Sequence, residues 1–174
     1  LFSAASDVYK RQDLVCHRLP TYPDRRPVRQ DGRFMRTETQ IVVKEEIESM
    51  HRSGIIRVAK YNEWLSNVVP VRKKNGKMRV CVDYRDLNNA TPKDIYPMPV
   101  ADLLIDAAAG HEVLSFMDGT AGYHQIPVAE EDRHKTAFRC PGFAGAFEYV
   151  VMPFGLKNAG ATYQRAMNLS LIHI

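Results

Sequence analysis

No CxxC pair occurs in this chain, and its three cysteines, Cys16, Cys81 and Cys140, lie far apart. Neither a zinc site nor a disulfide framework is indicated, so a reducing compartment is the default expectation. No apolar run approaches the roughly 18 residues that a membrane span needs, so no membrane partner is expected. Internal repeats and low-complexity blocks are missing as well, which excludes a solenoid or a biased tail. An excess of one charge sign is also slight: 24 Lys and Arg stand against 20 Asp and Glu, a formal +4. That balance is compatible with a nucleic-acid partner but far from the charge density of a basic tail.

The two ends do not read as protein. SDVYKRQ (6–12) is the translation of TCA GAT GTG TAT AAG AGA CAG, and LSLIHI (169–174) is the translation of that stretch's reverse complement. The DNA resembles a transposase mosaic-end sequencing adaptor met once in each orientation. Residues 1–12 and 169–174 are therefore expected to be adaptor scars, peripheral to any fold. Setting them aside removes Lys10, Arg11 and Asp7 and takes the formal charge from +4 to +3. About 155 residues are left, suited to one domain or a fragment of a larger one.

Residues 13–36 are rich in Pro and Arg and predict an extended arm with little helix. Thr37-Glu38-Thr39-Gln40 fits a capping box that opens a helix carrying Val43, Ile47 and Met50 on one face, with Gly54 as its stop. Two apolar runs, Trp64 to Val71 and Met78 to Tyr84, flank Asn75-Gly76, the pair of residues that best suits a two-residue hairpin turn. Pro92, Pro97 and Pro99 mark an irregular connection, and Val100 to Ala109 predicts a second helix ended by Gly110. Val113 to Met117 reads as a buried strand running into Asp118. Thr136 to Cys140 and Phe147 to Met152 read as further strands, and Asn158 to Asn168 as a helix with Gly160 as a weak point. Helices alternating with antiparallel hairpins predict an α+β fold.

With Asn75-Gly76 as a two-residue turn, pleat alternation would put Arg72, Lys74, Lys77 and Arg79 on one face. Arginine suits phosphate through its fixed donor fork and lysine as a point charge. A merely solvated basic hairpin is the competing reading. Asp83 and Arg85 fall on one face of the same strand by parity.

Five blocks carry a family resemblance in order: RKKNGKMRVCVDYRDLN (72–88), ATPKDIYPMP (90–99), LSFMDGTAGYHQI (114–126), KTAFRCPG (135–142) and VVMPFGLKNAGATYQRAMN (150–168). Over 17–168 the sequence resembles the reverse transcriptase of gypsy-type LTR retrotransposons, especially plant elements. The resemblance implies a right-hand polymerase fold limited to fingers and first palm segment, in residues 37–168. It implies RNA- and DNA-templated DNA synthesis with two Mg²⁺ ions in the complete enzyme. Asp118 matches the first of three metal-binding carboxylates, and the Gly119 carbonyl can join that shell. Arg79 and one of Lys73 and Lys74 match contacts to the triphosphate. Tyr123 matches the aromatic that blocks a ribose 2′-OH, with Gly122 letting the backbone approach the nucleotide, and Phe154 matches a residue lying against it. Core packing is the alternative for Tyr123 and Phe154.

Asp83 and Arg85 match fingers residues near the template strand, with an ion pair inside the domain as the alternative. Lys157 and Gln164, on the last helix, match template-side residues, with a solvated helix face as the alternative. Glu130-Glu131-Asp132 resembles a solvated turn. The family's Tyr-x-Asp-Asp turn, which supplies the other two carboxylates, has no counterpart in this sequence. The 174-residue chain is therefore expected to be inactive by itself. Gly160 stands where relatives usually carry Pro. The implied partners are an RNA or DNA template with primer, gripped by shape and backbone, deoxynucleoside triphosphates, and the rest of the polyprotein with its RNase H and integrase. The implied location is a cytoplasmic virus-like particle with nuclear access at integration. A decayed or domesticated nucleic-acid-binding remnant is the second reading, and the reading frame beyond Asn168 separates the two.

Overall fold

The computed structural model of the chain describes residues 15–72, 78–114, 121–142 and 145–172. Lys73, Lys74, Asn75-Gly76, Asp118, Gly119 and the segment 1–12 lie outside them.

Residues 15–36 form no helix and run along the body, held by isolated bridges from His17 to Val128 and from Arg29 to Leu65. Helix α1 (Thr37–Arg52) buries Val43 and Ile47 and gives way at Ser53 to Gly54, whose φ of 71° is a left-handed value that suits glycine. Its start corrects the expected capping box. Arg36 is the N-cap, no side chain caps the helix, and Gln40 Nε2 donates instead to the Met35 carbonyl at 2.7 Å. Thr37, already the first helical residue, is one position too late to cap.

Strands β1 (Ile56–Val58), β4 (Phe138–Arg139) and β5 (Ala146–Tyr149) make an antiparallel sheet in the order β1-β5-β4. Strands β2 (Val68–Arg72) and β3 (Met78–Val82) form a separate hairpin. Both β4 and β5 are shorter than expected: Thr136 belongs to a 3-10 segment, Glu130–Thr136, and Val151 makes only an isolated bridge with Pro127. Val68, Val80 and Val82 turn inward from the hairpin to meet Val43, Ile47, Ile56, Tyr84, Leu87, Phe138, Tyr149 and Met152 in one core. The mixture of helices with antiparallel strands is α+β.

The hairpin register corrects the expected basic face. Val71 pairs with Arg79 and Arg72 with Met78, so an odd number of residues connects the strands, and a two-residue turn does not fit. Directly opposed residues share a face, which puts Arg79 with Val71 and Cys81, and Arg72 with Met78 and Val80. Arg72 and Arg79 therefore point to opposite sides.

After β3, helix α2 (Arg85–Ala90) buries Leu87 and Ala90, and helix α3 (Ala101–Ala108) buries none of its residues. Leu103, Leu104 and Ile105 are all more than half exposed. Val113 and Leu114, the described part of the expected buried strand, are exposed and belong to no strand. Among the described residues no strand pairs with them, and the rest of the expected strand, 115–117, lies outside those residues. Helix α4 (Ala159–Ile172) ends the described chain. No helix among the described residues is long and apolar enough to cross a membrane.

Candidate functional site

The centre of the site is a stack of rings on which a guanidinium rests. Tyr123 and Phe154 are stacked with centroids 4.9 Å apart, and the Arg79 guanidinium carbon lies 5.7 Å from the Phe154 centroid. Three separate segments supply these groups. Arg79 comes from the outer face of β3. Tyr123 lies in the 3-10 turn Gly122–Gln125, and Phe154 in the turn before α4. Phe154 is 51% exposed, so about half of the residue remains open to solvent beside the cation.

The backbone below Tyr123 is built for close approach. Ala121 takes a left-handed conformation (φ 52°, ψ 34°) that only a minority of non-glycine residues adopt. A Cβ on Gly122 would come within 2.7 Å of Tyr163 Cε2, so a side chain there would force the Tyr163 ring to shift. Tyr163 in turn tilts against Tyr123 at 5.3 Å. A Cβ on Gly160 would meet Met98 Cε at 3.2 Å and the Tyr123 hydroxyl at 3.9 Å. His124 meets Phe154 edge-on at 5.6 Å, and burial holds its imidazole below the ordinary histidine range. Tyr163, His124 and Met98 are absent from the sequence expectations. The signal that could have found them is the pair of glycines, Gly122 and Gly160, each marking a close contact.

Asp83 follows β3, with its side chain only 6% exposed, and accepts from Arg85 (Nε 2.8 Å, Nη2 2.7 Å) and from Arg33 Nη2 at 3.2 Å. The hydrogen bonds from Arg85 hold its carboxyl below the ordinary aspartate value. Arg85 is the first residue of α2 rather than part of the strand, and its guanidinium folds back over two residues to reach Asp83. The pair is thus an ion pair within the domain, although the Arg85 side chain stays 73% exposed.

Lys157 precedes α4 rather than lying on it. Its ammonium donates to the carbonyls of Asn88 (3.3 Å) and Thr91 (2.8 Å), which ties the Phe154 turn to α2. Gln164 is on α4 and donates to Asn168 Oδ1 at 3.0 Å. The acidic turn is not wholly solvated: Asp132 is buried and accepts from Leu19 N and Lys135 Nζ, both at 2.7 Å. Asp94, another residue outside the expectations, accepts from Arg165 Nη2 through both carboxylate oxygens (3.2 and 3.0 Å), while Arg165 covers the Tyr96 ring at 4.5 Å. The backbone N–H of Tyr96 and the Arg165 guanidinium hold the Asp94 carboxyl low.

Among the described residues no cluster of three or more His, Cys, Asp or Glu side chains could hold a metal ion. Asp118 and Gly119, expected as metal-binding groups, lie outside those residues.

A strand-borne cation is thus set over a tyrosine–phenylalanine platform, and the backbone at Gly122 is packed against Tyr163. The profile of the family described as "Reverse transcriptase (RNA-dependent DNA polymerase)" matches residues 71–174, and the chain belongs to that family. It is 39% identical over 132 residues to the Transposon Tf2-3 polyprotein of Schizosaccharomyces pombe (strain 972 / ATCC 24843), a match covering 74% of this chain and 10% of the relative. The Transposon Tf2-7 polyprotein of the same organism matches at the same identity and coverage. The chain thus spans about a tenth of the length of these relatives.

Proposed function

We propose that the chain is the fingers and first palm segment of an RNA-directed DNA polymerase from a gypsy-type, plant-like LTR element, with residues 1–12 and 169–174 derived from adaptor DNA. The reading is supported above all by Arg79, Tyr123 and Phe154, which come from three distant blocks and meet in one stack. Arg79 has the fixed charge and donor fork to hold a triphosphate oxygen while the Phe154 ring keeps the guanidinium in place. Tyr123 and Phe154 give the sugar a flat wall, and the stack beneath Tyr123 fixes the height of that wall. A 2′-OH would then have no room, whereas a deoxyribose would. Lys73 or Lys74 is proposed as the second cation on the triphosphate.

Mg²⁺ would neutralise charge on the reacting phosphate when bound, and Asp118 with the Gly119 carbonyl is proposed to help hold it. Template, primer and deoxynucleoside triphosphates are the proposed ligands, the parent polyprotein's RNase H and integrase the proposed neighbours, and a cytoplasmic particle the proposed setting.

Primer extension tests the reading. The 174-residue chain should leave an annealed primer unextended. A chain continued through the Tyr-x-Asp-Asp turn and the rest of the polymerase should extend it, and Asp118→Asn should abolish that extension. In the longer chain Arg79→Ala should raise KM for the deoxynucleotide about tenfold to a hundredfold, the scale of a charged hydrogen bond. Extension at normal KM by Arg79→Ala, or extension by the short chain, would refute the assignment.

A further inference from the structure

The arginine-rich arm is not used by the nucleotide site. Residues 25–36 contain five arginines, Arg25, Arg26, Arg29, Arg33 and Arg36, and every one is exposed. Arg33 is paired with Asp83, whereas Arg25, Arg26, Arg29 and Arg36 have no carboxylate partner among the described residues. Phe34 stands among them at 96% exposure. Single exposed apolar side chains are ordinary, but a bare ring in a row of exposed guanidinium groups, four of them without a carboxylate partner among the described residues, is a specific combination.

The arm is also rigidly attached. Gln30 N donates to Leu65 O at 2.8 Å, and Leu65 N donates to Val28 O at 3.0 Å, so the arm pairs like a strand. The Gln30 amide is engaged at both ends, donating to Asp86 Oδ2 at 2.7 Å and accepting from Asn67 N at 2.8 Å. Asn67 Nδ2 donates to Asp31 O at 2.7 Å, and Arg139 Nη2 donates to Gln30 O at 3.1 Å. Gln40 secures the far end through Met35 O. Phe34 is therefore exposed on a fixed backbone and is not the tip of a loose tail.

We propose that residues 25–36 form a binding track for single-stranded nucleic acid, with Arg25, Arg26, Arg29 and Arg36 on phosphates and Phe34 stacked on an unpaired base. Guanidinium forks match phosphate oxygens, and an exposed aromatic ring gains most from a base whose face is free. A duplex hides its base faces, which favours the single strand. A membrane surface is disfavoured because the arm lies flat along β-structure and has no amphipathic helix to insert. This goes beyond the nucleotide-site reading and does not depend on it, since binding can be read without synthesis.

The test is fluorescence anisotropy of a short fluorescein-labelled oligothymidylate with the 174-residue chain at several salt concentrations. Arg26→Gln/Arg29→Gln should weaken binding and lower the slope of log affinity against log salt by about 1.4, some 0.7 per lost phosphate contact. Arg52→Gln/Lys60→Gln, an equal charge loss away from the arm, should leave that slope within about 0.3 of its starting value. Phe34→Ala should weaken binding roughly fivefold to a hundredfold, the scale of one base stack, without changing the slope, and Phe34→Trp should restore it. Normal affinity in Phe34→Ala with an unchanged melting curve would overturn the proposal. So would equal loss from the two charge pairs, equal binding of a blunt duplex, or tighter binding to phosphatidylserine vesicles than to the oligonucleotide.

Discussion

The ring of Tyr163 occupies the space into which any side chain on Gly122 would project, with a Cβ there 2.7 Å from Cε2 and 2.9 Å from the hydroxyl. Gly122 has no positive φ, so the constraint is steric alone. Gly122→Ala should destabilise the chain by about 1–3 kcal/mol through overpacking. Tyr163→Leu should relieve part of that cost, so the double variant should be less destabilised than the two single losses added together. Denaturant melts of the four proteins check this, and strict additivity would remove the contact from the account.

His17 is fully buried, shares a 2.8 Å hydrogen bond between Nδ1 and Thr162 Oγ1, and leaves Nε2 without a partner among the described residues. Burial takes its pKa from 6.5 down to about 4, with Asp132 and Asp94 opposing the shift. Between these values the unfolded chain binds a proton that the folded chain does not, so stability falls as pH falls from 6.5 to about 4. The loss should approach roughly 3 kcal/mol at the lower end. In His17→Gln the stability curve should be flat across that window, which urea melts at successive pH values would show.

Asp83 shows its pH effect in a lower window. Hydrogen bonds from Arg85 depress its pKa below 3.8, so its contribution is complete above that value and is lost as pH falls through the depressed one. Asp83→Asn should therefore flatten the acid limb and leave the His17 window unchanged. Arg85→Ala should cost less than Asp83→Ala, because the Arg85 side chain is 73% exposed and Asp83 also serves Arg33. Equal costs would mean that Arg33 contributes nothing.

At the start of α1 the two candidate capping residues separate cleanly. Gln40→Ala should cost about 0.5–1.5 kcal/mol, since it removes the 2.7 Å bond to Met35 O. Thr37→Ala should stay within about 0.5 kcal/mol, as its side chain caps nothing. Thermal melts of the two variants would show the reverse order if a capping box were present.

The legible parts of the fold were those encoded locally. Val43 and Ile47 recur at helical spacing, Gly54 stops the helix, and apolar runs on either side of Asn75-Gly76 announce the hairpin. Its register was not legible, because a one-residue change in loop length moves Arg72 to the face opposite Arg79 without altering the pattern. Arg85 was assigned to a strand since parity cannot see that α2 begins there. The burial of Asp132 depends on Leu19 N, more than a hundred residues away, which no local pattern encodes. At the site, the family resemblance groups Arg79, Tyr123 and Phe154, and the structure places the Phe154 ring beside both the Arg79 guanidinium and the Tyr123 ring. Tyr163 and Met98 went unnoticed because periodicity cannot say which glycine an aromatic or thioether will cover.

The strand order β1-β5-β4 has a consequence for how the chain is made. Ile56 pairs with Tyr149, so β1 leaves the ribosome about ninety residues ahead of its partner. At about 5–20 residues per second, the interval lasts roughly five to twenty seconds. The β2–β3 hairpin needs only its own neighbourhood and can close during that time. Throughout it, the edge of β1 lacks its native strand partner and is open to pairing with another nascent chain. Synthesis of this chain thus includes a period of aggregation risk whose length is set by codon speed between β1 and β5.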